Sequence, residues 1–150
     1  MTFFDMGYSQ RLSEWRSFRL SLNDLSLEDA MNSTIEFWAH APIVSHNLAP
    51  DDSTAWPTPW ELIHDNVYCD VSKSLGIFYT LFLSSHAEKG IINLHMYRNR
   101  NRHEDYNVVV VNNQHVLNYD VSETVNIKTL PVGSTLMFQY GPDDLKQQLG

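Results

Sequence analysis

The chain has 150 residues, 43% of them apolar, and 18 acidic against 10 basic side chains, so its formal net charge is 10 − 18 = −8. That length suits one domain burying roughly 70% of the surface an unfolded chain exposes, and the apolar content excludes wholesale disorder. The acidic balance disfavours general nucleic-acid binding, no run approaches the ~20 apolar residues of a membrane span, and the single cysteine, Cys69, excludes an internal disulfide.

The expectation is a soluble protein made in a reducing compartment, cytoplasmic as synthesised. Residues 1–14 read as a peripheral arm whose Phe3, Phe4, Met6 and Tyr8 are apolar enough to reach another subunit. Residues 15–141 read as one domain and 142–150 as a tail. Phe18, Leu20 and Leu22 alternate with Ser17, Arg19 and Ser21, which predicts a half-buried strand. Ser26 offers an N-cap, Glu28 and Asp29 fill the first turn, and Leu27, Ala30, Met31, Ile35 and Trp38 follow at helical spacing. That helix stops before Pro42.

After a long connection over residues 42–58, Thr58, Pro59 and Glu61 form a capping box that opens a short helix ending near Asp65-Asn66. A longer helix begins near Cys69-Asp70, with Val71, Leu75, Phe78 and Phe82 as its stripe and Ile77 and Leu81 widening it. The remainder reads as strands. Ile92, Leu94 and Met96 alternate with Asn93, His95 and Tyr97, and four valines at 108–111 predict a strand buried on both faces. Asn112-Asn113 suits a type I′ turn leading into a strand at 115–120, and 125–130 and 135–140 complete an antiparallel sheet of four or five strands. The fold class is α+β.

The run Trp56-Pro-Thr-Pro-Trp60-Glu, followed by Cys69-Asp70 at a helix start, resembles the bacterial transglutaminase-like cysteine proteinases, which have a papain-like fold. Trp56, Thr58, Pro59, Glu61 and Cys69 fall on the matching positions, with the spacing to the cysteine about one residue short. The resemblance implies that Cys69 stands where the nucleophile would be. It also implies that the base begins the strand at 106–111 and its orienting acid ends the next, at residue 118. Here those positions hold Asn107, or Tyr106 with the register moved by one, and Asn118. Neither Asn107 nor Tyr106 takes a thiol proton near neutral pH as imidazole does. Tyr68 stands where the family usually has aspartate. With a two-residue hairpin, Asn107 faces Asn118, so the triad geometry survives without its chemistry. The resemblance thus implies a degenerate proteinase fold with a vestigial site at Cys69, Asn107 and Asn118.

The function expected is non-enzymatic: a protein-binding or assembly module, with a protein partner or self-assembly rather than membrane or nucleic acid. Phe3, Phe4, Arg98, Arg100 and Arg102 are its candidate contact residues. In style the chain is similar to small proteins of tailed bacteriophages, which implies a virion component. One alternative is an active thiol peptidase, amidase or transglutaminase-like enzyme using Cys69 with a displaced base. His103 lies in a polar loop and His115 alternates away from Asn118, so neither is well placed. His95 sits on the polar face of its strand, from which a contact with the Cys69 region is expected. A second alternative is a nucleic-acid accessory protein using the alternating arginines at 98–102. The seven histidines show no ligand-like spacing, and no metal or cofactor is expected. Trp56 and Trp60 read as braces for the capped turn.

Overall fold

The computed structural model describes residues 2–43 and 46–149. Its first long element corrects the sequence reading. Residues 17–22 are not a strand but the end of helix α1 (Tyr8–Ser21) and the turn beyond it. Phe18 and Leu22 are four apart, a spacing that serves a helix as well as a strand, and Leu22 is fully buried. Leu20, which a strand would bury beside them, is 55% exposed. Arg11 and Trp15 extend the buried stripe upstream at helical spacing.

Helix α1 starts inside the segment read as an arm, and that segment docks on its own chain. Phe4 is buried, with its ring 5.7 Å from Trp38 and 5.5 Å from Tyr68. Phe3 lies partly buried against the same core. Arg11 is also buried; its Nε donates to Ile63 O and its Nη2 to His64 O, both at 3.0 Å, and Nη1 donates to Met6 O. The tail is likewise tied down, since Leu145 is fully buried and Gln148 Nε2 donates to Ser53 O at 2.7 Å.

Helix α2 (Leu27–Trp38) begins as expected, with the Ser26 hydroxyl accepting from Asp29 N at 3.1 Å. Helix α3 (Pro59–Asp65) carries the full Thr58/Glu61 capping box and ends on Asn66 in the left-handed region, φ 52°. Helix α4 (Asp70–Phe82) is the central one. Gly76 allows α2 to approach it closely, because a Cβ there would lie 2.4 Å from the Trp38 ring. Thr80, one turn on, accepts from both the Trp15 and Trp38 indoles, at 3.0 and 2.9 Å.

The sheet has five antiparallel strands in the order β4-β3-β2-β1-β5. They are β1 (Ile92–Asn99), β2 (Glu104–Val111), β3 (His115–Leu117), β4 (Val125–Asn126) and β5 (Ser134–Tyr140). Ile92, Leu94, Met96, Val109, Val111 and Leu117 pack into the helical core. Val108, Val110 and Val116 form a second cluster with Tyr97, Tyr106, Tyr119, Ile127 and Leu130 on the opposite face. The four-valine strand is therefore buried on both faces, as its composition predicts.

Asn112 and Asn113 both have φ 56°, as a type I′ turn requires. The register nevertheless differs by one from the two-residue hairpin expected, since Val111 pairs with His115 rather than Gln114. Gln114 leaves the ladder because its carbonyl accepts from Ile127 N at 2.8 Å. β3 stops at Leu117 rather than continuing to 120, and β4 is only two residues long before a 3₁₀ turn over Ile127–Thr129.

Candidate functional site

Cys69 is the N-cap of α4, in extended conformation and only 1% exposed. Its backbone N–H donates to Ser72 Oγ at 2.7 Å, and that hydroxyl lies 3.5 Å from the Cys69 sulfur and 3.0 Å from Asn47 Oδ1. Burial raises the thiol's pKa, but donors outweigh it: the Ser72 hydroxyl and the backbone N–H groups of Ser72, Asn47 and Leu48. The thiol therefore lies below its ordinary value. The residues around 47 thus roof the sulfur, a contact no local pattern around Cys69 announces.

One residue further on, Asp70 holds Asn107 and Asn118. Asn107 Nδ2 donates to its Oδ2 at 2.9 Å and Asn118 Nδ2 to its Oδ1 at 3.3 Å. Asn118 Nδ2 also lies 2.9 Å from Asn107 O and 2.7 Å from Ser74 Oγ, and Ser74 donates to Asn107 O. The ladder does not pair Asn107 with Asn118. They meet because Asn118 adopts φ 72°, which turns its side chain back toward α4. The roles of Asp70 and Ser74 were missed in the sequence, because their partners Asn107 and Asn118 lie on distant strands.

Tyr106 points to the opposite face, 5.3 Å from the Tyr119 ring, so Asn107 alone faces α4. His95 corrects another expectation: it lies on the face away from α4, with Nδ1 2.9 Å from the Tyr97 hydroxyl and Nε2 buried without a partner. His115 pairs with Val111 and so shares the helix-facing side, at the turn end of the hairpin, about 13 Å along the strand from Asn107. Among the described residues no histidine hydrogen-bonds to Cys69; His64 pairs with Asp65 and His86 with Leu22 O.

A cleft of about 520 Å³ opens beside Asp70, lined by His46, Leu48, Asp70, Asn107, Met137 and Phe138 among others. Cys69 is not among its lining residues. A smaller cavity of 190 Å³ lies against Asp70, Lys73 and Asn118. No group of three or more His, Cys, Asp or Glu suited to a metal occurs among the described residues.

Of the loop arginines, Arg98 Nε lies 3.1 Å from Asp105 and Arg102 Nε 3.6 Å from Glu104, both within the β1–β2 hairpin and exposed. Arg100 makes no ion pair among the described residues. Trp56 braces the long connection, donating to Ala49 O at 2.8 Å beneath Tyr140. Trp60 is 49% exposed and sits edge-on to Trp15.

No family model matches the sequence, and no curated protein matches it. Solved structures do resemble it. LapG of Legionella pneumophila, treated with EGTA, superposes with a TM-score of 0.72 at 11% identity, covering 90% of this chain and 74% of LapG. Calcium-bound LapG gives 0.69 at 11% identity, covering 91% and 77%. A third LapG structure gives 0.70 at 11% identity, covering 90% and 75%. The protein has an α+β, transglutaminase-like fold, and no helix among the described residues is long and apolar enough to cross a membrane.

Proposed function

We propose that this chain is a non-enzymatic, protein-binding or assembly module built on a transglutaminase-like fold. LapG is a transglutaminase-like cysteine protease, and thiol attack on an amide needs a base beside the sulfur. The observation that carries the reading is the Asp70 clamp. Asn107 and Asn118 spend their amide donors on one carboxylate, and an amide nitrogen has no free lone pair with which to accept a thiol proton. The enclosure of Cys69 supports the same reading. A virion component is the setting that the sequence style favours for such a module.

The test is alkylation of Cys69 by iodoacetamide in the folded protein as pH varies. Slow labelling at every pH, unchanged by replacing any histidine, is the expected result. The lowered thiol pKa favours a second reading, a thiol enzyme with a displaced base, for which His46 is the candidate because it lines the cleft beside Asn47. Rapid labelling with a midpoint well below ~8.5, lost in His46→Ala, establishes that enzyme instead.

A further inference from the structure

The smaller cavity beside Asp70, of 190 Å³, is bounded by Ile35 on α2, by Asp70, Lys73 and Ile77 on α4, and by Asn118 to Val121 beyond β3. Asp70, Lys73 and Ile77 are three and four residues apart, so they share one face of the helix. Lys73 is half-buried, yet its ammonium makes no hydrogen bond or ion pair among the described residues. Both carboxylates at the cavity are engaged elsewhere. Asp70 accepts from Asn107 and Asn118, and Asp120 Oδ1 accepts from Ser122 N at 2.9 Å and from Ser122 Oγ at 2.8 Å. Burial pushes the Lys73 ammonium below its ordinary value, although the Asp70 charge acts the other way.

We propose that Lys73 is a reversible covalent site for small neutral carbonyl compounds, with its amine forming an imine to an aldehyde held in this cavity. The nitrogen lone pair attacks the carbonyl carbon and makes the C–N bond. The carbonyl oxygen then leaves as water, carrying the two hydrogens of the amine, and a C=N bond remains. No oxidant or reductant is needed.

The cavity selects the ligand by size, wall and charge. Its 190 Å³ is about six waters' worth of space, room for a body of about three to five carbons. Ile35, Ile77 and Val121 supply apolar walls. Asp70 and Asp120 set negative charge beside the amine, which turns away keto acids of the same size. A lysine that is partly desolvated and lacks an anionic partner gives up its proton more readily than one in water, which frees the nucleophile. This inference goes beyond the assembly reading and does not depend on it, because Cys69 takes no part.

The test is brief treatment of the folded protein at pH 7 with propanal and cyanoborohydride, which fixes any imine as a stable amine, followed by peptide mass spectrometry. Lys73 is expected to be labelled faster than Lys89 and Lys128 by at least about fivefold. Naphthaldehyde, too large for the cavity, is expected to label Lys89 and Lys128 but to spare Lys73. Pyruvate is expected to label Lys73 poorly, and to label it faster in Asp120→Asn, whose amide oxygen can still accept from Ser122. A Lys73 that reacts no faster with propanal than the other two lysines overturns the proposal. Equal labelling of Lys73 by naphthaldehyde removes the cavity from it, and pyruvate reacting as fast as propanal overturns the ligand class. Reductive labelling reads Lys73 and alkylation reads Cys69, so the two readings fail separately.

Discussion

Asp70 Oδ2 accepts a hydrogen bond from Asn107 Nδ2 at 2.9 Å, joining the first residue of the central helix to the second strand of the sheet. The same carboxylate receives Asn118 from beyond the third strand. A helix N-terminus favours negative charge, so the helix stabilises the acceptor that the asparagines use.

Asp70→Ala is therefore expected to destabilise the fold by about 2 kcal/mol, the cost of leaving amide donors without their charged acceptor. Urea denaturation measures this directly. An unchanged midpoint means the clamp contributes nothing to holding the sheet on the helix.

Thr80 is a second shared acceptor, deeper in the core. Replacing it with valine preserves shape but leaves the Trp15 and Trp38 indole N–H groups without their partner. The expected loss is about 2–4 kcal/mol, more than one ordinary hydrogen bond, because two buried donors are orphaned. A loss under about 1 kcal/mol in thermal unfolding contradicts that account.

His95 makes stability depend on pH. Burial lowers its pKa below the ordinary 6.5. The unfolded chain then binds more protons than the native state as the pH falls below that value. Stability from this group is complete above about 6.5 and declines on acidification. His95→Gln keeps a partner for Tyr97 but does not titrate, so its unfolding free energy should fall less between neutral and mildly acid pH. Parallel curves for the two proteins remove His95 from the explanation.

The elements that declared themselves in the sequence are those whose chemistry is local. Ser26 and the Thr58/Glu61 box mark helix starts because a cap bonds within three residues. Asn112-Asn113 marks a turn because both residues tolerate positive φ. The failures have distant causes. Residues 17–22 span too little chain to separate a period of two from a spacing of four, and only Arg11 and Trp15 upstream resolve it. The hairpin register moved because Gln114 bonds to Ile127, on another connection. At the site, the start of a helix at Cys69-Asp70 was readable from the local pattern. The roof at Asn47 and the clamp at Asp70 were not, because each joins segments more than twenty residues apart.

The end of β5 and the segment after it have an influence beyond their own length. Tyr140 fastens Pro50, Gln148 fastens Ser53, and Trp56 closes onto Ala49, so the connection that roofs Cys69 is latched from the far end of the sequence. Loosening that latch would unroof the sulfur without touching a single residue near it, making thiol accessibility a remote gauge of how well the C-terminal segment is seated.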